Sequence, residues 1–110
     1  MTRPIKFRAW DKKEKIMRKR WDELYPECTK GLVLMQFTGL LDKNGKEIYE
    51  GDIVRSATYA SMSADSKALE MSYEVYFDQG QWRIGGAALY AWKEWSEVIG
   101  NIYENSNLLQ

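Results

Sequence analysis

Two short runs interleave cations with aromatic rings, Lys6-Phe7-Arg8-Ala9-Trp10 and Arg18-Lys19-Arg20-Trp21. Cations neutralise phosphates and rings stack on bases, so these residue types in this order are what a single-strand or RNA-binding surface requires. Lys6, Arg8, Arg18, Lys19 and Arg20, with Trp10 and Trp21, are therefore candidate contacts to nucleic acid or to a protein partner. A third aromatic group, Tyr90, Trp92 and Trp95, has the make-up of a protein interface. Against both stand plainer roles, because rings in a small chain also build the core and a cationic run is commonly a solvated strand face.

Other chemistry is largely excluded. The chain has no histidine, which removes Ser-His-Asp and Cys-His nucleophilic systems and the usual zinc sites. Cys28 is the sole cysteine, without a histidine to activate it or a second thiol for a disulfide or metal cluster. The carboxylates Glu47, Glu50, Asp52 and Glu74 are the right groups for acid-base or magnesium chemistry if they pair in space, but spacing on predicted strands does not show convergence. Asp42-Lys43-Asn44-Gly45 has its glycine fourth, where a calcium loop needs it sixth, and Gly80, Gly85 and Gly86 match no phosphate-cradling spacing. The residues thus predict a non-enzymatic protein without cofactor or metal.

The elements that must position these side chains are short. A chain of 110 residues supports one domain, here 1–110, with one modest core in which aromatic residues, 14% of the total, take a large share. Alternation over Ile5 to Trp10, a polar turn at 11–15 and a return strand over Ile16 to Trp21 predict a basic N-terminal hairpin, 1–21, whose exposed faces carry Arg8, Arg18 and Arg20. Residues 22–30, with Pro26, read as a loop. A strand over Leu32 to Phe37 precedes a tight hairpin, in which Asn44 and Gly45 tolerate the positive φ of the turn. Gly39 and the pair Gly51-Asp52 punctuate the flanks, and all five residues read as turn scaffold. Ser56 to Lys67 lacks large aliphatic residues and predicts a long loop. Leu69 to Phe77 alternates as a strand that turns through 78–81 into Trp82 to Ile84. Ala87 to Trp95 favours a short helix, Val98 to Tyr103 a closing strand, and 105–110 a fraying tail. The sum is a mostly β fold with at most one short helix: a small antiparallel barrel, of Src-homology-3-like form, or a strongly bent sheet over 32–104.

Three blocks carry a family resemblance. Met35-Gln36-Phe37-Thr38-Gly39-Leu40 followed by Asp42-Lys43-Asn44-Gly45-Lys46-Glu47-Ile48-Tyr49-Glu50-Gly51-Asp52-Ile53-Val54 resembles the signature of the YopX family of phage and prophage proteins. Ile5-Lys6-Phe7-Arg8-Ala9-Trp10-Asp11 resembles its N-terminal motif and Glu97-Val98-Ile99-Gly100-Asn101-Ile102-Tyr103-Glu104-Asn105 its C-terminal one, in the same order. The chain departs from the pattern at Ser106, where a proline commonly follows the asparagine. The resemblance implies a mostly β protein of phages and prophages of bacteria, and brings no catalytic or ligand-binding residues with it.

Charge adds one more expectation. Residues 1–20 carry nine Lys or Arg against two acids, and the rest carries seven against fourteen, so a neutral chain is divided into a basic and an acidic part. Such a division favours pairing with another copy or with a polyanion. The lone cysteine and the absence of an apolar run near about 18 residues predict a protein of a reducing cytoplasm, with no membrane contact, and the resemblance implies that the cell is a bacterial host. The function expected is that of an accessory protein acting by contacts with host or phage proteins and by homo-oligomerisation; the alternative is a nucleic-acid-binding β-barrel module using the basic hairpin.

Overall fold

The computed structural model describes residues 5–19, 31–56 and 71–109. Strand β1 (Phe7–Asp11) turns into β2 (Ile16–Arg18) through a loop that Asp11 holds. Its Oδ1 accepts the N–H groups of Lys13 and Glu14, both at 3.0 Å, and Lys15, at φ +57°, donates to the Asp11 carbonyl at 2.7 Å. The return strand ends sooner than expected, at Arg18; Arg20 and Trp21 lie outside the described residues.

Strand β3 (Leu32–Leu41) runs antiparallel to β1, with Leu32 opposite Asp11 and Gln36 opposite Phe7. Its far end pairs with β4 (Glu47–Tyr49), giving the order β2-β1-β3-β4. The sequence places a break at Gly39, but β3 passes through it. Gly39 takes φ +84° and the register slips between Phe37 and Leu41. The Thr38 hydroxyl bridges the irregularity, donating to the Ile48 carbonyl at 2.7 Å and accepting from the Leu40 N–H at 3.1 Å. Such a bulge bends a strand instead of ending it.

Strand β5 (Asp52–Ser56) lies between β10 (Ser96–Asn101) and β6 (Met71–Glu74), while β7 (Tyr76–Asp78), β8 (Gln81–Ile84) and β9 (Ala87–Ala88) form a third ladder. The single strand expected up to Phe77 is divided at Val75, where the chain leaves one sheet for the other. Val75 donates to the Asp52 carbonyl at 2.8 Å and accepts from the Gly51 N–H at 2.9 Å. The change of sheet resets the alternation, so Val75 is buried while Met71 and Phe77 are exposed. The helix expected over 87–95 is present as α1 (Leu89–Trp92) and a 3₁₀ turn at Lys93–Trp95; Ala87 and Ala88 pair with β8 before it starts. The whole is mostly β with minor α, and the strongly bent sheet is the form taken, a curled half-barrel.

The centre is aliphatic. Ile48, Val54, Val75, Ile84, Leu89 and Val98 form the buried cluster, and Tyr73, Trp82 and Trp92 pack around it only partly buried. The expected aromatic share therefore sits at the rim, apart from Trp10 and Phe37, which are buried beside the N-terminal strands. The C-terminal stretch is tied down rather than frayed: Asn105 donates to the Asn101 carbonyl at 2.9 Å, its Oδ1 accepts the Asn101 N–H at 3.2 Å, and a 3₁₀ helix spans Ser106–Leu109. A Cβ at Gly100 would stand 2.5 Å from Asn105 Oδ1, so this close approach requires glycine.

Asp42 shows how the hairpin is locked to the core. Its Oδ1 accepts the N–H groups of Asn44 at 2.8 Å and Lys46 at 2.9 Å, and its Oδ2 accepts the buried Val98 N–H of β10 at 2.9 Å. Asp42→Ala should destabilise the fold by about 2–3 kcal/mol, chiefly through the Val98 amide left without an acceptor. Urea denaturation checks this; a loss below about 0.5 kcal/mol would contradict the role given to this carboxylate.

Candidate binding surfaces

The first surface begins with alternation on β1, which puts Lys6 and Arg8 on one face. Arg8 lies opposite Met35 on β3, passes its Nη2 3.8 Å from the Met35 sulfur, and reaches Asp52 Oδ1 at 2.5 Å. Its guanidinium stands 4.6 Å from the centre of the Tyr49 ring. Asp52 Oδ2 accepts the Tyr49 N–H at 2.7 Å. Only 12% of the Arg8 side chain and 2% of the Asp52 side chain are exposed. Arg8 Nε is buried with no acceptor among the described residues. Lys6 is ion-paired with Glu47 and lies 4.8 Å from the centre of the Phe37 ring.

Around these groups is a cavity of about 340 Å³ lined by Lys6, Arg8, Lys19, Lys46, Glu47 and Tyr49. Lys19 arrives from the end of β2, the strand beside β1, and Lys46 from the turn that opens β4.

The electrostatics follow from burial and pairing. Burial pushes the Asp52 carboxyl above its ordinary range, with the Arg8 charge and the Tyr49 N–H pulling it partly back. Burial likewise raises the Tyr49 hydroxyl, helped by the Glu47 charge, and the bond to Glu47 raises the Lys6 ammonium. Asp11 is lowered, first by the Glu14 N–H and also by Arg18, whose Nη2 is 3.1 Å from Asp11 Oδ2.

The second surface is aromatic. Helix α1 sets Tyr90 outward, 74% exposed, and the 3₁₀ turn does the same for Trp95, 59% exposed. Trp92 and Trp95 meet edge to face at 5.8 Å, and Phe77 and Trp82 do so across β7 and β8 at 5.0 Å. A shallow groove of about 210 Å³ is lined by Thr38, Gly39, Leu40, Gln81, Trp82 and Tyr90.

The residues singled out from sequence are thus dispersed. Lys6, Arg8 and Lys19 share the cavity, with Arg8 turned inward in an ion pair, whereas Trp10 is buried, stacked on Tyr103 at 5.7 Å. The exposed position expected for Arg8 is therefore corrected: Asp52 and Tyr49 draw its long side chain over β3. Arg18 is held by Asp11 at the edge of the hairpin, and Arg20 and Trp21 lie outside the described residues. Tyr90 and Trp95 are on the surface, whereas Trp92 packs against the core. Gly39, Gly45 and Gly51 have positive φ, Asn44 is in the turn held by Asp42, and Asp52 begins β5. Lys46, Glu47 and Tyr49 were not foreseen as cavity residues, nor Gln81 and Trp82 as groove residues. The only signal was that Glu47 and Tyr49 alternate on a strand leading away from a hairpin turn.

Among the described residues no group of three or more His, Cys, Asp or Glu is placed to hold a metal, and no helix is long and apolar enough to cross a membrane. Fold and surfaces define a small bent-sheet protein that carries, among the described residues, a cationic cavity and an aromatic surface. The family model of the YopX protein matches residues 18–110, and the chain belongs to the YopX family. Among solved structures, the crystal structure of protein EF1440 from Enterococcus faecalis is similar, with 27% identity, a TM-score of 0.70, and coverage of 99% of this chain and 100% of that one. No curated protein matches.

The opposite shifts of two aspartates give opposite linkage to stability. Asp11, lowered in the fold, stabilises it above the unfolded pKa, and that contribution is lost as pH falls through the folded value. Asp52, raised in the fold, favours it below the unfolded pKa, and that contribution is lost as pH rises through the folded value. Carboxyl NMR titration should find Asp52 protonating at a higher pH than Asp11; the reverse order would contradict these environments.

Proposed function

We propose that this YopX-family chain is a non-enzymatic accessory protein of a phage or prophage, acting in the bacterial cytoplasm through protein contacts and associating with itself. The observation that carries this reading is the set of exposed rings: Tyr90 lines the groove together with Trp82, Phe77, 56% exposed, meets Trp82 edge to face, and Trp95 is exposed beyond Trp92. Exposed rings grouped beside apolar surface are what interfaces use. The division of charge between residues 1–20 and the remainder supports a second copy as one partner, because the basic part of one molecule complements the acidic part of another. Nucleic-acid binding, the alternative, has less support than its sequence footprint offers, since the guanidinium of Arg8 and the ring of Trp10 are engaged inside the fold.

Light scattering coupled to size exclusion should show a dimer or higher species that dissociates on dilution. Tyr90→Ser with Trp95→Ser should shift it towards monomer without lowering the thermal midpoint, since both side chains are exposed. A monomer at every concentration would overturn self-association. Affinity capture from lysogenic cells that recovered nucleic acid and no protein would overturn the protein-contact reading.

A further inference from the structure

From the cationic cavity we infer a binding site for a phosphomonoester: a compact dianion held by Lys6, Lys19 and Lys46 above the Arg8–Tyr49 floor. The charge balance leads to this class of ligand. Four cationic side chains line the cavity, with Glu47 as the one lining carboxylate and Asp52 behind Arg8. Glu47 is taken by Lys6 and Asp52 by Arg8. Lys19 and Lys46 have no ion pair among the described residues, so the cavity keeps an excess of about two positive charges, the complement of a phosphate ester carrying roughly −1.5 to −2 at neutral pH.

Geometry favours a compact ligand over a strand of nucleic acid. The volume, about 340 Å³, is at the lower end of small-molecule sites. A nucleic-acid track needs cations spaced along a groove and free rings. Here the lysines converge from three separate places, the end of β2, the start of β1 and the 42–46 turn, and the nearest ring, Tyr49, already has Arg8 over it. None of its residues lies on the aromatic face, so the substitutions at Tyr90 and Trp95 leave the site in place.

Glu47 gives the proposal a sign that a structural role would not. It is the one lining group that repels an anion, so Glu47→Gln should tighten binding, while Lys19→Ala and Lys46→Ala should each weaken it about fivefold or more. Lys93→Ala, on the other surface, should leave it unchanged.

The test is amide NMR titration of the full chain at low ionic strength with inorganic phosphate, adenosine monophosphate, adenosine and a 5′-hydroxyl dinucleotide. The two dianions should shift the amides around Lys6, Lys46 and Tyr49 in a saturable, salt-sensitive way, adenosine should not, and the singly charged diester should bind more weakly than either. Phosphate binding as well as adenosine monophosphate would identify the phosphoryl group alone as the ligand, and a stronger nucleotide would add its body to the site; both support the inference. No shift at millimolar phosphate, diester binding as strong as monoester, or weaker binding by Glu47→Gln with its thermal midpoint intact would overturn it.

Discussion

A buried carboxylate that must be satisfied organises this molecule. Asp52 begins β5 with its side chain almost wholly out of water, where an unpaired charge would cost several kcal/mol. Each of its oxygens is claimed by a different part of the chain, Oδ1 by the Arg8 guanidinium from β1 and Oδ2 by the Tyr49 N–H from β4. Its carbonyl accepts the Val75 N–H at the junction of β6 and β7, and the carbonyl of Gly51 beside it accepts the Ile102 N–H at 2.9 Å. The N-terminal hairpin, the central hairpin and the C-terminal strand thus meet at one corner.

Long-range contacts also join the three sequence blocks that carry the resemblance. Arg8 of the first bonds Asp52 of the second; Asp42 of the second holds the Val98 N–H of the third; Trp10 of the first stacks on Tyr103 of the third. These contacts join residues far apart in sequence, and each occupies a polar or aromatic group that would otherwise be free for chemistry. The lysines around the cavity and the rings of Tyr90 and Trp95 stay at the surface.

Local rules made the strands and corners legible in sequence. Asn44-Gly45 between apolar runs specified its turn, alternation specified β1, and the spacing of Leu89 and Trp92 specified a short helix. Legibility ended where a residue answers to a distant partner. Arg8 reads as a surface cation until Asp52, 44 positions away, is placed under it. Leu69 to Phe77 reads as one strand because periodicity does not report a change of sheet at Val75. Lys6 and Lys19 are legible together on the basic hairpin, but Lys46, from a separate turn, shares no local pattern with them. Asp52 reads locally as turn scaffold, and nothing near it in sequence signals its burial or its link to the N-terminal strand.

If the Arg8–Asp52 pair is the junction on which the fold depends, its two members must be energetically coupled. A double-mutant cycle with Arg8→Met and Asp52→Asn, measured by chemical denaturation, tests this most directly. Each single change should cost about 3 kcal/mol, by leaving a buried charge or its acceptor unmatched, and the double mutant should cost about 2 kcal/mol less than their sum. Additivity within about 0.5 kcal/mol would show that the two side chains are neighbours without being partners, and would contradict the place given to Asp52.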